Sequence, residues 1–186
     1  MIKFDFPKNV KRVREYISDE ANVDRIISEY EKNRKKTDQP FYMYNMTIQN
    51  HSPYDKDAAN FKQPIKIESS KYDAEANRYL NLIKYSDDSL KQLTGYFEKC
   101  KEPTIILFLG DHQPRLTDEF MNKITNGQYQ TWSSEQMMKR YQVPFVIWAN
   151  YDIKRTAYRE DKHELYPKYP DQDSWSKDDR ISEIFK

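Results

Sequence analysis

The stretch that decides the fold is Thr104-Ile105-Ile106-Leu107-Phe108-Leu109-Gly110-Asp111-His112. An unbroken apolar run closed by glycine predicts a strand covered on both faces, because a strand with one solvated face alternates instead. Upstream, Tyr79, Leu80, Ile83, Leu90, Leu93 and Phe97 recur with a period of about 3.6 residues and predict an amphipathic helix over 76–99, closed off by Pro103. Earlier still, Pro40 opens a second continuous apolar and aromatic run, 41–48, read as a buried strand. Before it, Ser18 caps a helix with Asp19 and Glu20 in its first turn and Val23, Ile26, Ile27 and Tyr30 at helical spacing, fading in the polar run 33–39. Residues 49–71 read as a polar loop, 134–140 as a short helix, and 143–149 as a third strand whose Pro144 marks an edge or a strand start. This alternation predicts an α/β domain with a mostly parallel sheet flanked by helices. The 42–48 and 105–109 strands should be neighbours or near-neighbours, with their C-terminal ends on one side. From 151 onward the pattern dissolves into charges, prolines and tyrosines, so the expected organisation is a domain over 1–152 and a polar charged tail over 153–186.

Composition narrows the function. A chain of 186 residues fits one domain or a large piece of one. The net charge of +1, with lysines and acids interspersed, gives no concentrated basic patch and argues against nucleic acid as a partner. Cys100 is the only cysteine, which excludes an internal disulfide and a thiolate cluster. It stands at the end of a helical pattern with no motif around it and reads as structural. No run approaches the roughly 18 apolar residues of a membrane span, and the opening Met1-Ile2-Lys3-Phe4-Asp5 lacks a signal-peptide core. Made alone, the chain is expected to stay in the cytoplasm.

Two strand ends carry residues suited to chemistry. Asp111 and His112 follow the 104–109 run, and ligands bind in the crevice beyond strand C-termini in open α/β sheets. A carboxylate beside an imidazole suits zinc or manganese, with Gly110 turning the backbone so that both reach one ion. From spacing alone the other reading stands beside it: Asp111 caps the next segment and His112 is a surface histidine. His51, in Asn50-His51-Ser52-Pro53-Tyr54, follows the other strong strand and can donate to a phosphate or sulfate oxygen, or else caps backbone groups in a loop. Arg115, after Pro114, could meet an anionic head group or be a solvated loop arginine. His163 reads as solvated, Asp87 and Asp88 as the polar face of a helix, and Trp132 and Trp148 as packing residues.

Four ordered blocks make the reading more specific. These are Phe41 to Tyr54, Tyr79 to Leu90, Thr104 to Pro114 and Tyr141 to Tyr151, and together they resemble consecutive blocks of the lipoteichoic acid synthase-like phosphoglycerol transferases, of the alkaline phosphatase and sulfatase superfamily. The likeness spans about residues 16–152. It implies the C-terminal part of a sulfatase-like catalytic domain, incomplete as given. It also implies that Asp111 and His112 ligate a divalent metal, manganese as a rule, with zinc, magnesium or calcium as alternatives, and that His51 contacts the substrate phosphate.

The resemblance places the other half of the chemistry elsewhere. The family's threonine nucleophile, a glutamate ligand, and an arginine and a tryptophan of the substrate pocket belong upstream of these blocks, and Thr47 reads as a sheet residue rather than a substitute. The implied reaction moves glycerol phosphate from phosphatidylglycerol-type lipids to an acceptor through a covalent intermediate, in cell-envelope polymer synthesis or modification. Alternatives are a sulfatase, phosphatase or phosphodiesterase acting on phosphate or sulfate esters, and an inactive truncated remnant. Family members are held by N-terminal membrane helices with the catalytic domain outside the cell, so membrane association is expected only through segments this chain lacks. An exposed sheet edge would favour self-association.

Overall fold

A computed structural model describes residues 6–67, 73–125, 127 and 129–153, and the described residues up to Asp152 form one compact unit. The expected tail lies outside the described residues except for Ile153. A small hairpin comes first: β1 (Arg12–Val13) pairs antiparallel with β2 (Tyr16–Ile17). Helix α1 follows (Asp19–Arg34), and its Ser18 Oγ accepts from Ala21 N at 3.1 Å, satisfying one of the amide groups a helix start leaves orphaned. Helix α2 (Ala74–Phe97) starts from Asp73 in the same manner. Both helices fall where the apolar spacing put them, within two residues of the expected ends for α2.

The helices meet through one apolar cluster. Val23 and Tyr30 of α1 pack on Leu93 and Phe97 of α2, with Phe41, Ile106 and Trp148 against them. Tyr30 meets Phe41, Tyr96 and Phe97 edge-on, at ring separations of 5.9, 6.2 and 5.0 Å, the geometry aromatic quadrupoles favour. A second cluster, of Val13, Tyr54, Phe61 and Leu82, sits at the other half of α2, with Tyr79 and Leu116 packed on it.

The sheet differs from expectation. Strand β3 (Ile105–Leu109) pairs with β4 (Phe145–Ala149) in antiparallel register, Ile105 opposite Ala149 and Leu109 opposite Phe145. The described residues form no parallel pair. The physical reason is where the intervening chain goes. Helices α3 (Asp118–Ile124) and α4 (Ser134–Met138) lie between β3 and β4 in sequence, and the returning segment is bound at the C-terminal end of β3. There Gln113 N donates to Arg140 O at 2.6 Å and Gln113 Nε2 to Gln142 O at 2.6 Å. A chain that re-enters a sheet from the end it left must run antiparallel, whereas a parallel pair needs a crossover back to the other end.

Two further expectations fail for related reasons. Residues 41–48 belong to no strand among the described residues; Tyr42, Tyr44 and Met46 are 87%, 74% and 76% exposed. A strand needs a partner for its amide ladder, and only Phe41 of this run finds a core to enter. Nor is the 104–109 run covered on both faces. Ile106 and its cross-strand partner Trp148 face the helices, while Leu107, Leu109 and Phe145 on the opposite face are 56%, 55% and 66% exposed. No described helix is long and apolar enough to cross a membrane.

Candidate functional site

The His51 segment is irregular yet buried from below. Its backbone is gathered by Arg14, whose Nη1 donates to Pro53 O at 2.5 Å and whose Nη2 donates to Gln49 O and His51 O at 2.7 and 2.8 Å. Gln49, fully buried, accepts from Asp19 N and donates to Asp19 Oδ2, while Asn50 Nδ2 donates to Ser86 Oγ and the Ser86 hydroxyl in turn donates to Asp19. Tyr54 donates its hydroxyl to Asn50 O. Farther along, α2 asparagines act as a stand-in strand edge: Asn81 accepts from Ile65 N and donates to Ile65 O, and Asn77 accepts from Ile67 N. Of the polar loop expected over 49–71, the described part, 49–67, is therefore irregular but pinned.

The imidazole itself is exposed, and its tautomer is set by chemistry. Nδ1 of His51 lies 2.7 Å from Ser52 O. A carbonyl can only accept, so Nδ1 carries the hydrogen and a neutral ring presents a lone pair at Nε2. Donation from Nε2 to an anion then requires the imidazolium.

The second candidate group sits on the turn after β3. Asp111 Oδ1 accepts from His112 N at 2.9 Å, and His112 Nδ1 lies 2.8 Å from Gln113 O, which again leaves Nε2 as the lone-pair nitrogen. Asp111 Oδ2 and His112 Nε2 stand 3.6 Å apart on exposed side chains. A carboxylate oxygen and an imidazole lone pair this close would suit one divalent ion, and the carbonyl behind Nδ1 is the kind of partner that orients ligating histidines. The donor set fits a divalent metal as far as it goes. Among the described residues no cluster of three or more His, Cys, Asp or Glu side chains converges. Gly110 makes the turn without a left-handed backbone, and a Cβ added there would meet Val143 Cγ1 at 3.5 Å, an ordinary contact. A left-handed glycine is thus not what turns Asp111 and His112 toward each other.

The two groups are connected through Tyr54 and Tyr79. Leu116, one residue past the exposed Arg115, packs on the cluster that holds Tyr54 of the His51 loop. Tyr54 and Tyr79 are in ring contact at 5.5 Å, and the Asp111 carboxylate bears on both. Burial is the main cause that pushes their phenols up, Tyr54 to about 12, and the negative charge of Asp111 adds to it. Arg115 makes no ion pair among the described residues. Asp87 and Asp88 are exposed on α2, as a polar helix face should be, with Asp88 paired to Lys84. Burial pushes the Cys100 thiol up, the opposite of an activated nucleophile. His163 lies outside the described residues.

Sequence reasoning missed Arg14, Tyr16 and Asn60, which build the floor of the His51 loop. Asn60 Oδ1 accepts from Arg14 N and its Nδ2 donates to Arg12 O and Arg14 O, while Tyr16 donates its hydroxyl to Ser52 O at 2.9 Å. In Lys11-Arg12-Val13-Arg14-Glu15 nothing in the sequence separates the buried arginine from its exposed neighbours.

Comparison with known proteins gives a consistent set of likenesses. Residues 3–171 match the protein-family model described as Sulfatase, a span that runs into the stretch read as tail. A Rhizobium meliloti (strain 1021) protein named for cyclic beta-1,2-glucan modification is 29% identical over 143 residues, 73% of this chain and 21% of that protein. The lipoteichoic acid synthase-like protein YvgJ of Bacillus subtilis (strain 168) is 31% identical over 127 residues, 62% of this chain and 19% of the relative. The phosphoethanolamine transferase EptA of Helicobacter pylori (strain ATCC 700392 / 26695) is 29% identical over 80 residues, 42% of this chain and 14% of the relative. The aligned stretches thus cover about a fifth or less of each relative's length. No solved structure matches.

Proposed function

Starting from the fact that this chain belongs to the sulfatase family, we propose that it is part of a metal-dependent phosphoglycerol transferase, acting on phosphatidylglycerol-type lipids in the synthesis or modification of a cell-envelope polymer. The family's fold is the alkaline-phosphatase-like α/β type, its substrates are phosphate or sulfate esters, and its members generally use divalent metals. The observation that supports the proposal is that Tyr54, on the loop that carries His51, and its ring partner Tyr79 both feel the Asp111 carboxylate, while Leu116 packs on the same cluster. The relatives named as a phosphoethanolamine transferase and a lipoteichoic acid synthase-like protein favour group transfer between alcohols over simple hydrolysis.

In this reading Asp111 and His112 Nε2 supply two ligands, and manganese is the favoured ion. Bound there, a divalent ion supplies Lewis-acid polarisation of an ester oxygen. His51, with Nδ1 committed to Ser52 O, meets a phosphate oxygen through Nε2 as the imidazolium. The exposed Arg115 adds positive charge for the head group. The nucleophile, a glutamate ligand and the membrane anchor belong to upstream segments of the whole enzyme, whose catalytic domain works outside the cell.

Two protein ligands hold an ion loosely, since catalytic sites usually have three or more. Calorimetric titration of the purified chain with manganese or zinc should show weak binding, lost in Asp111→Ala and His112→Ala. A fluorogenic ester and phosphatidylglycerol should both stay intact. Tight binding indifferent to either substitution would overturn the ligand assignment. Ester hydrolysis by the chain, lost in His112→Ala, would favour the hydrolase reading and place a nucleophile within these residues.

A further inference from the structure

Arg14 is an unusual residue to find where it is. It is 8% exposed, it stands in the left-handed region at φ 54°, and none of the described carboxylates forms an ion pair with it. A buried charge without a counter-ion and a left-handed non-glycine backbone are each unfavourable. What compensates is the three carbonyls of Gln49, His51 and Pro53 on one side and two rings on the other. Its Cζ lies 5.1 Å from the Tyr16 ring centre and 5.6 Å from that of Tyr54. Tyr16 continues the chain of contacts: its ring is 6.0 Å from the His51 ring, and its hydroxyl and His51 Nδ1 share the Ser52 carbonyl.

We propose that Arg14 is the positioning residue for His51. It draws the carbonyls of Gln49, His51 and Pro53 inward, so that the His51 imidazole is held with Nδ1 on Ser52 O and Nε2 free. The inference rests on the reading of His51 as the phosphate contact and assigns the device that makes it one. Five donors in a planar fork let one guanidinium hold three carbonyls at once, which a lysine ammonium on its flexible stem does not reproduce in the same geometry. Partners that orient metal-ligating histidines change affinity about 10-fold or more when removed, and a loss of the same order is expected for His51.

The test uses the purified full chain, labelled with 15N, and reads the imidazole nitrogens by long-range correlation spectra while inorganic phosphate is added. In the parent chain His51 should appear as the Nδ1–H tautomer and shift on phosphate addition. Arg14→Gly removes the guanidinium at a backbone position glycine tolerates. It should return His51 to a tautomer mixture and weaken phosphate binding at that ring about 10-fold, while His112, held by Gln113, keeps its tautomer. Should Arg14→Gly fail to fold, Tyr16→Phe deletes one hydroxyl from the same loop and is expected to move His51 in the same direction by a smaller amount. A folded Arg14→Gly chain whose His51 tautomer and phosphate response match the parent would overturn the proposal, as would an unmoved His51 in Tyr16→Phe where only that variant folds. If the tautomer follows Arg14 but phosphate leaves His51 unshifted even in the parent chain, the positioning role stands and the phosphate reading of His51 falls.

Discussion

The 49–67 loop and the β3–β4 pair reverse the usual relation between regular structure and burial. The loop has no helix or strand, yet Gln49, Tyr54 and Phe61 are 1%, 4% and 5% exposed, because side chains of Arg14, Asn77 and Asn81 take the place of a backbone ladder. The strands are regular and far more apolar, yet Leu107 and Phe145 lie more than half exposed. Hydrophobicity supplies the tendency to be buried, and only a surface to pack against turns it into burial.

The contrast can be broken most directly at two leucines. Leu82→Ala, at a fully buried position under the His51 loop, should lower unfolding free energy by about 3 kcal/mol. Leu107→Ala, on the open strand face, should change it by no more than about 0.5 kcal/mol. Urea melts of both variants measure the difference, and equal losses would mean that the open face is covered in solution.

A smaller effect is expected at the seam between α1 and the segment leading into β3. Tyr30 is 7% exposed and donates its hydroxyl to Glu102 at 2.7 Å; burial and then Glu102 push the phenol well up, and the same bond is the main cause holding Glu102 down. Tyr30→Phe removes one bond to a charged group that can turn to water, so a loss of about 1 kcal/mol is expected in the same melts. A loss near that of Leu82→Ala would show that the ring packing, and not the hydroxyl, had been disturbed.

The floor of the loop carries a pH dependence. Burial pushes the Asp19 carboxyl up, while hydrogen bonds from Ser86 and Thr47 pull the other way. A raised carboxyl holds its proton longer in the folded chain than in the unfolded one. Its contribution is therefore full below the ordinary value of 3.8 and is lost as pH rises through the folded value. Asp19→Asn should gain on the parent chain in urea midpoint between pH 4 and pH 7, since asparagine still accepts from Ser86; a parent chain that gains on the variant instead would mean that the ionised form is the better bound. The smallest effect belongs to Gly110→Ala, within about 0.5 kcal/mol, because the position needs no left-handed backbone and the added carbon makes an ordinary contact with Val143. A larger loss, read by the same melts, would restore the glycine to the role its place before Asp111 suggested.

Local signals were legible wherever one residue's chemistry sufficed. Ser18 and Asp73 cap helices because a short side-chain oxygen meets orphaned amides whatever the rest of the chain does, and the apolar spacing of α1 and α2 announces the faces they bury. The sequence by itself also determined the family, through blocks that carry His51, Asp111 and His112. It did not determine how the strands pair. Residues 41–48 and 104–109 look alike as apolar runs, and what separates them is that β4 returns to the end β3 left and completes its ladder, while no described strand reaches 41–48. Only the tertiary structure could single out Arg14, since burial of a guanidinium depends on carbonyls 35 to 39 residues away being turned toward it. Pattern along the chain reports what a segment can do with its neighbours in sequence; strand partners and buried charges are decided by neighbours in space.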